Sequence, residues 1–216
     1  MGCGGGLFAE ALARLGAHVM GVDASPDAVA AARAHAAADP AVSRRVAYAQ
    51  GTAPSLASTA GATFDAVIAS EVIEHVPDPV AFLKACRSLV KRGSPGPVIV
   101  STLARTPRAW AVAILGAEHL ARLLPVGTHD WHKFLTAEEL ALAAGAAGLR
   151  LDAVAGMGPD LASGAAAAVG LSAFGRRQGA AGWAPALAGV AAPAGGWRLT
   201  QDLGVNYIGS LVVAEE

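Results

Sequence analysis

Charged residues are few in this chain of 216 residues, and neither sign dominates. They make up 15% of the sequence, and 16 basic against 17 acidic side chains give a net charge of −1. No basic block is present to form a nucleic-acid-binding surface, and no acidic run predicts a disordered tail. Only Cys3 and Cys86 are cysteines, which excludes a disulfide framework and favours a reducing compartment. We therefore expect a globular protein with no nucleic-acid partner.

Long apolar segments are also missing, although 54% of the residues are hydrophobic. Alanine, which buries little surface, supplies 53 of these residues. The longest uncharged stretch, residues 179–197, contains two prolines and lacks the Leu, Ile and Phe content of a membrane-spanning helix. The first ten residues lack the basic and apolar regions of a signal peptide. We expect neither a transmembrane helix nor a secretory signal.

Short apolar runs alternate with helical patterns in the first half of the chain. Ser25 followed by Pro26 is typical of a helix start. Strands that alternate with helices of ten or more residues predict an α/β fold with a doubly wound, mostly parallel sheet. The predicted strands are 17–22, 45–49, 64–69 and 97–102, and the predicted helices are 8–15, 27–38 and 79–90.

The second half is less regular. Thr136 and Glu139 have the spacing of a capping box, which predicts a helix over 136–148, and strands are predicted at 149–155 and 203–213. Residues 161–196 are Ala/Gly-rich without a period and are interpreted as an insertion. We predict a single domain over 1–216, with an amphipathic insertion at 105–130 and this low-complexity insertion.

The amphipathic insertion has two interpretations. Its apolar residues fall near one face of a helix over 105–124, and its charged residues lie elsewhere. The segment is either a helix packed on the core, which is the commoner case, or an interfacial helix that dips into lipid. The apolar set is Trp110, Ile114, Leu115, Leu120, Leu123 and Leu124, and the polar set is Arg105, Arg108, Glu118, His119 and Arg122.

A glycine-rich turn begins at residue 2 and precedes the first predicted helix. In a doubly wound fold such a turn follows the first, central strand, so we expect that N-terminal strand to be missing and the sequence to be truncated. A dinucleotide fingerprint would need glycine where Leu7 stands, whereas the G-x-G-x-G spacing favours S-adenosylmethionine. Asp23 ends the next predicted strand, where its carboxylate would accept hydrogen bonds from ribose hydroxyls.

An acidic cluster follows the predicted strand at 64–69. If residues 71–75 form a helical turn, Glu71, Glu74 and His75 share one face and suit a divalent cation. The alternative is that the cluster only starts a helix and supplies a general base, His75. Both interpretations place the cluster at the strand's carboxyl end, where open α/β sheets bind ligands.

Four segments together resemble the ubiquinone-biosynthesis O-methyltransferases of bacteria and their mitochondrial counterparts. The first two are shared with many class I methyltransferases, and the last is much more specific. The resemblance covers residues 1 to about 157 and, thinly, 197–213. The segments are GCGGGLFAEALARLGAHVMGVDAS, FDAVIASEVIEHVPDP, STLARTPRAW and GAEHLARLLPVGTHDWHKF.

This resemblance implies a class I methyltransferase Rossmann-like fold and S-adenosylmethionine as methyl donor. The implied acceptors are polyprenylated catechol-type phenols, including demethylubiquinol. Matching the family's positions implies cofactor contacts at Gly2, Asp23 and Ser70. It also implies a divalent metal, magnesium or alternatively zinc, at Glu71, Glu74 and His75.

The resemblance also implies peripheral attachment to a membrane surface and association with other ubiquinone-biosynthesis proteins. The location would be the matrix side of the mitochondrial inner membrane or the cytoplasmic face of a bacterial membrane. Two alternatives remain open: a methyltransferase for another small phenol, and a non-catalytic assembly subunit of a biosynthetic complex.

Overall fold

Seven strands form two sheets in the part of the chain that the computed structural model describes, residues 1–91, 93, 96–120, 125–159 and 197–214. In the first sheet β1 (Val19–Asp23) pairs in parallel with β2 (Val46–Gln50). The second sheet has the order β3-β4-β7-β5-β6. Its strands are β3 (Val67–Ser70), β4 (Val98–Leu103), β5 (Leu149–Pro159), β6 (Trp197–Thr200) and β7 (Asn206–Val213).

Strand direction divides the second sheet. β3 and β4 are parallel, whereas β7 is antiparallel to both β4 and β5, and β5 is antiparallel to β6. The predicted α/β class is confirmed, and all the antiparallel pairs involve the late strands. β6 was not predicted, and the predicted insertion at 161–196 lies outside the described residues.

The first three residues join the two sheets. The Met1 amino group donates to the Ile68 carbonyl at 2.7 Å, and the Cys3 amide donates to the Val22 carbonyl at 3.1 Å. Because Ile68 belongs to β3 and Val22 to β1, these bonds hold the glycine-rich turn between the two strands.

The helices begin where side chains can cap them. The Ser25 hydroxyl accepts from the Ala28 amide, and Thr136 and Glu139 form the predicted capping box. An unpredicted helix starts at Thr52, which pairs with Ser55 rather than with the usual Glu or Gln. The α-helices are α1 (Leu7–Arg14), α2 (Pro26–Ala37), α3 (Pro40–Ser43), α4 (Ala53–Ala60), α5 (Pro79–Leu89), α6 (Pro107–Trp110) and α7 (Ala137–Ala146).

The predicted helix over 105–124 is present up to residue 120, and residues 121–124 lie outside the described part of the chain. The helix is not a uniform α-helix. After α6 it continues as a π-type helix over Ala111–Leu120. Ala109 and Ala113 are buried against Leu103 and Phe134, so the segment packs on the core through small residues. Among the described residues no helix is long and apolar enough to cross a bilayer.

Besides the cluster of Leu103, Ala109, Ala113 and Phe134, two larger clusters of buried side chains form the interior. The large cluster lies between the second sheet and helices α4, α5 and α7. The small cluster lies between the first sheet and helices α1 to α3. The carboxyl ends of β1, β3 and β4 meet above these clusters, and the predicted site residues lie there.

Candidate active site

The glycine-rich turn is an open cradle. Gly2, Gly4 and Gly6 all have positive φ, and Gly6 is the residue that starts α1. A Cβ at Gly4 or Gly5 would meet no atom within 4 Å, so the turn leaves room above its backbone. A backbone with this freedom at a helix N-terminus is suited to approach a ligand closely.

Asp23, at the end of β1, holds this turn in place. Its Oδ2 accepts from the Gly4 amide at 2.8 Å, and its Oδ1 accepts from the Ser25 amide at 2.9 Å. The carboxylate therefore joins the turn to the start of α2. Carboxylate oxygens retain further acceptor capacity, which a ribose hydroxyl would use.

The residues after β3 adopt a strained conformation. Glu71 has φ of 52°, which is uncommon for a residue with a side chain. Its backbone amide donates to the Ser101 carbonyl, and its Oε1 accepts from the Ser101 hydroxyl at 2.8 Å and from Asn206 Nδ2 at 3.1 Å. Ser70 joins the same network, because its hydroxyl lies 2.9 Å from the Ser101 hydroxyl.

Glu74 is a buried carboxyl beside Glu71. Its side chain is 3% exposed, and its Oε2 accepts from the Thr102 hydroxyl at 2.9 Å. Its Oε1 is buried with no hydrogen-bond partner. Burial raises the pKa of Glu74 to about 7, and the nearby charge of Glu71 acts in the same direction.

His75 shares a short turn with Glu74 but not with Glu71. A short 3-10 turn covers Ile73–His75, and because Glu71 is left-handed it is not part of that turn. The expected single helical face of Glu71, Glu74 and His75 is therefore not formed. The described residues contain no group of three or more His, Cys, Asp or Glu side chains placed to hold a metal ion. The pKa of His75 is lowered from its ordinary value because part of the ring is desolvated, and the charges of His129 and Lys133 add to this effect.

Glu118, which the sequence placed on the polar side of the amphipathic helix, is a further buried carboxylate. Glu118 is 1% exposed, and it accepts from the Gly127 amide at 2.7 Å and from the His129 amide at 2.8 Å. Its Oε1 is also 2.8 Å from His129 Nδ1. Although burial alone would raise the pKa of Glu118, these hydrogen bonds hold it below its ordinary value. Glu118 lies outside the apolar set that the sequence predicted, yet it is buried because the loop over residues 125–130 folds back over it.

The structure brings the predicted cofactor residues to one edge. A Cβ on Gly2 would lie 2.2 Å from Val72 Cγ2, so the turn packs directly on the segment that follows Ser70. Asp23 contacts the same turn through Gly4. The Glu118–His129 pair was not predicted from the sequence, although a glutamate within the apolar run AVAILGAEHL was the signal for it. The roles of Gly2, Asp23 and Ser70 as cofactor contacts remain predictions.

Sequence comparisons agree with this geometry. Residues 1–95 match the family model described as a methyltransferase domain. The ubiquinone biosynthesis O-methyltransferase of Xanthomonas axonopodis pv. citri is 46% identical over 157 residues, which cover 73% of this chain and 64% of that protein. The enzyme of the same name from Cereibacter sphaeroides is 51% identical over 140 residues, 65% of this chain and 54% of that protein. The chain therefore matches less than two thirds of the length of these curated relatives.

Solved structures show the same fold at low identity. A putative methyltransferase from Bacillus halodurans is 14% identical with a TM-score of 0.61, over 99% of this chain and 90% of that one. A possible histamine N-methyltransferase from Thermotoga maritima is 18% identical with a TM-score of 0.57, over 99% of this chain and 80% of that one. The matched part of this chain is therefore similar to the ubiquinone biosynthesis O-methyltransferases, and its fold is the one that these solved methyltransferase structures share.

Proposed function

We propose that this protein transfers a methyl group from S-adenosylmethionine to a phenolic hydroxyl of polyprenylated catechols in ubiquinone biosynthesis, including demethylubiquinol. The observation that carries the proposal is the identity of 46–51% to enzymes of that name. The matched stretch is long enough to include the glycine-rich turn and the acidic segment after β3. The open edge formed by these elements supports a small-molecule site.

The cradle fits the proposed methyl donor. Open space above Gly4 and Gly5 leaves room for an amino-acid moiety against the backbone, and Asp23 lies at the strand end where a ribose would be recognised. The strained turn after β3 presents Ser70 at the same edge. When bound, S-adenosylmethionine supplies a methyl group activated by its sulfonium.

The chain must then supply a proton acceptor, because a phenolate is a far better nucleophile than a phenol. Two imidazoles lie near this edge, those of His75 and His129, with ring centroids 6.5 Å apart. General bases of this kind contribute roughly 10²–10⁴-fold to a rate. His75 is the base that the sequence predicted. The remaining contribution of the protein is orientation of the two reactants.

A divalent ion, preferably magnesium, is a narrower part of the proposal. Glu71 and Glu74 would hold it, since the partnerless Oε1 of Glu74 is a buried oxygen suited to a hard cation. Such an ion would favour the phenolate form of an adjacent hydroxyl. We expect calorimetric titration with Mg²⁺ to show binding that Glu74→Gln abolishes and the exposed Glu138→Gln retains. Equal binding of Mg²⁺ by both variants would contradict the assignment of the ion to Glu71 and Glu74.

Attachment to a membrane surface is also proposed, because a polyprenylated acceptor resides in a bilayer. Large apolar side chains of the amphipathic insertion support it: Trp110 is 43% exposed, Val112 52% and Leu120 75%. The corresponding location is the matrix side of the mitochondrial inner membrane or the cytoplasmic face of a bacterial membrane. Other ubiquinone-biosynthesis proteins are the proposed protein partners.

The deciding experiment pairs cofactor binding with methyl transfer. We expect calorimetry to show S-adenosylmethionine binding that Asp23→Asn weakens at least tenfold and the exposed Asp27→Asn leaves unchanged. Radiolabelled S-adenosylmethionine should then label a short-prenyl catechol. Transfer only to unprenylated phenols would indicate an enzyme for another small phenol. Absence of cofactor binding would contradict the enzymatic proposal and favour an assembly subunit.

A further inference from the structure

The Glu118–His129 pair has the arrangement of a positioned imidazole. Glu118 is 1% exposed and belongs to the π-type helix, whereas His129 belongs to the loop before the Trp131–Lys133 turn. The carboxylate accepts from two loop amides, those of Gly127 and His129, which fix the loop against the helix. The third bond, from His129 Nδ1 at 2.8 Å, fixes the ring.

This geometry determines which ring nitrogen is free. An ionised carboxylate only accepts hydrogen bonds, so the proton of neutral His129 lies on Nδ1. Nε2 then carries the lone pair and can take a proton. The edge of Phe134, whose centroid is 6.0 Å from that of His129, limits rotation of the ring. The imidazole is thus held in one tautomer by an anion and an aromatic neighbour.

The pair lies beside the candidate active site. The His129 and His75 rings are tilted by 32° with centroids 6.5 Å apart, and His75 follows Glu74 at the carboxyl end of β3. The His129 side chain is 14% exposed, so it is shielded from bulk water but still reachable. No carboxylate hydrogen bond to His75 occurs among the described residues, and that side chain is exposed. His129 is therefore the better-positioned imidazole of the two.

We infer that His129 is the general base that takes the phenol proton and that Glu118 is its positioning residue. The inference rests on the proposed function and names the base within that site. His129 Nε2 removes the hydroxyl proton, and the phenolate oxygen bonds to the methyl carbon. The carbon–sulfur bond breaks with its electron pair left on sulfur. The imidazolium, stabilised by the buried Glu118 anion, then releases its proton to water.

The test varies the acidity of the acceptor. With a short-prenyl catechol, His129→Gln should lower kcat by roughly 10²-fold or more, the range for loss of a general base. With 4-nitrocatechol, which ionises without help, the ratio of wild-type to variant kcat should fall towards one. Glu118→Gln should lower kcat on the catechol at least tenfold because its amide does not select the right tautomer, and Glu118→Asp should restore part of the loss.

Controls separate catalysis from folding. His132→Gln, in the following Trp131–Lys133 turn and exposed, should leave both rates unchanged, and S-adenosylmethionine affinity should stay within about twofold in every variant. Added imidazole should rescue His129→Ala, which it cannot do for a misfolded protein. An equal loss on both acceptors, or an acceptor-dependent loss in His75→Gln instead, would overturn the inference. A wild-type protein that binds S-adenosylmethionine but methylates neither acceptor would overturn the proposed function, and this inference with it.

Discussion

Gly2 is a residue where a single added methyl group should be strongly destabilising. Its φ is +64°, and a Cβ there would lie 2.2 Å from Val72 Cγ2. We expect Gly2→Ala to lower the free energy of unfolding by about 1–3 kcal/mol, because both strain and overlap oppose it. Urea unfolding without any ligand measures this loss. Gly5→Ala, which meets no atom within 4 Å, is the matched control and should change stability by less than about 0.5 kcal/mol. Equal effects of the two substitutions would contradict the packing argument.

Glu74 should make stability depend on pH in an unusual direction. A carboxyl whose pKa rises from 4.5 to about 7 on folding binds its proton more tightly in the folded state. Stability from this group is therefore present below pH 4.5 and is lost as pH rises through 7. In EDTA, the stability of Glu74→Gln relative to wild type should increase by about 3 kcal/mol from acidic to alkaline pH. Urea unfolding at several pH values gives the comparison, with Glu138→Gln as the exposed control. A constant difference across pH would show that Glu74 is not protonated on folding.

At the scale of elements, the sequence was informative wherever structure is local. The start of α2 at Pro26 and the capping box of α7 follow from a few neighbouring residues, and both are confirmed. Glu118 and β6 were not predictable in this way. Glu118 is buried because a loop about ten residues later supplies its donors, and β6 exists because β5 offers it an edge. The turn after β3 combines both cases. Its residues were identified from the sequence, but the left-handed conformation of Glu71, which excludes it from the turn of Glu74 and His75, was not predicted.

The amphipathic insertion carries a prediction about membranes. Val112 and Leu120 are 52% and 75% exposed on an element that packs inward through alanines. Insertion into lipid should contribute about 1 kcal/mol for each side chain, so Val112→Ser with Leu120→Ser should weaken vesicle binding roughly thirtyfold. Flotation with phosphatidylcholine and phosphatidylglycerol vesicles measures it. Leu142→Ser, at an equally exposed leucine of α7, is the control. Equal flotation of the double variant and of Leu142→Ser would show that the amphipathic insertion is not the element that binds the membrane.

At the scale of the whole molecule, the two larger buried clusters differ in what holds them together. The cluster around the first sheet contains seven buried residues, of which four are alanine. The cluster around the second sheet includes Phe82, Leu83, Leu89 and Tyr207, and β4 is buried along its entire length. Buried area drives stability, so the first sheet with α1 to α3 is the weaker part. That part also carries the glycine-rich turn and Asp23, and hence the proposed cofactor site.

We therefore expect the two sheets to open independently. In hydrogen exchange measured by mass spectrometry, amides of β1 and β2 should exchange at least tenfold faster than those of β4 and β7 after correction for intrinsic rates. Val42→Ala, in the small cluster, should accelerate exchange in β1 and β2 alone, since it removes a fully buried side chain there. Leu89→Ala, in the large cluster, should accelerate exchange in the second sheet. Uniform protection in wild type, with both variants accelerating every strand equally, would mean that the bonds from Met1 and Cys3 join the sheets into one cooperative unit. With independent opening, S-adenosylmethionine should slow exchange most in β1, because its binding would have to order the weaker part first.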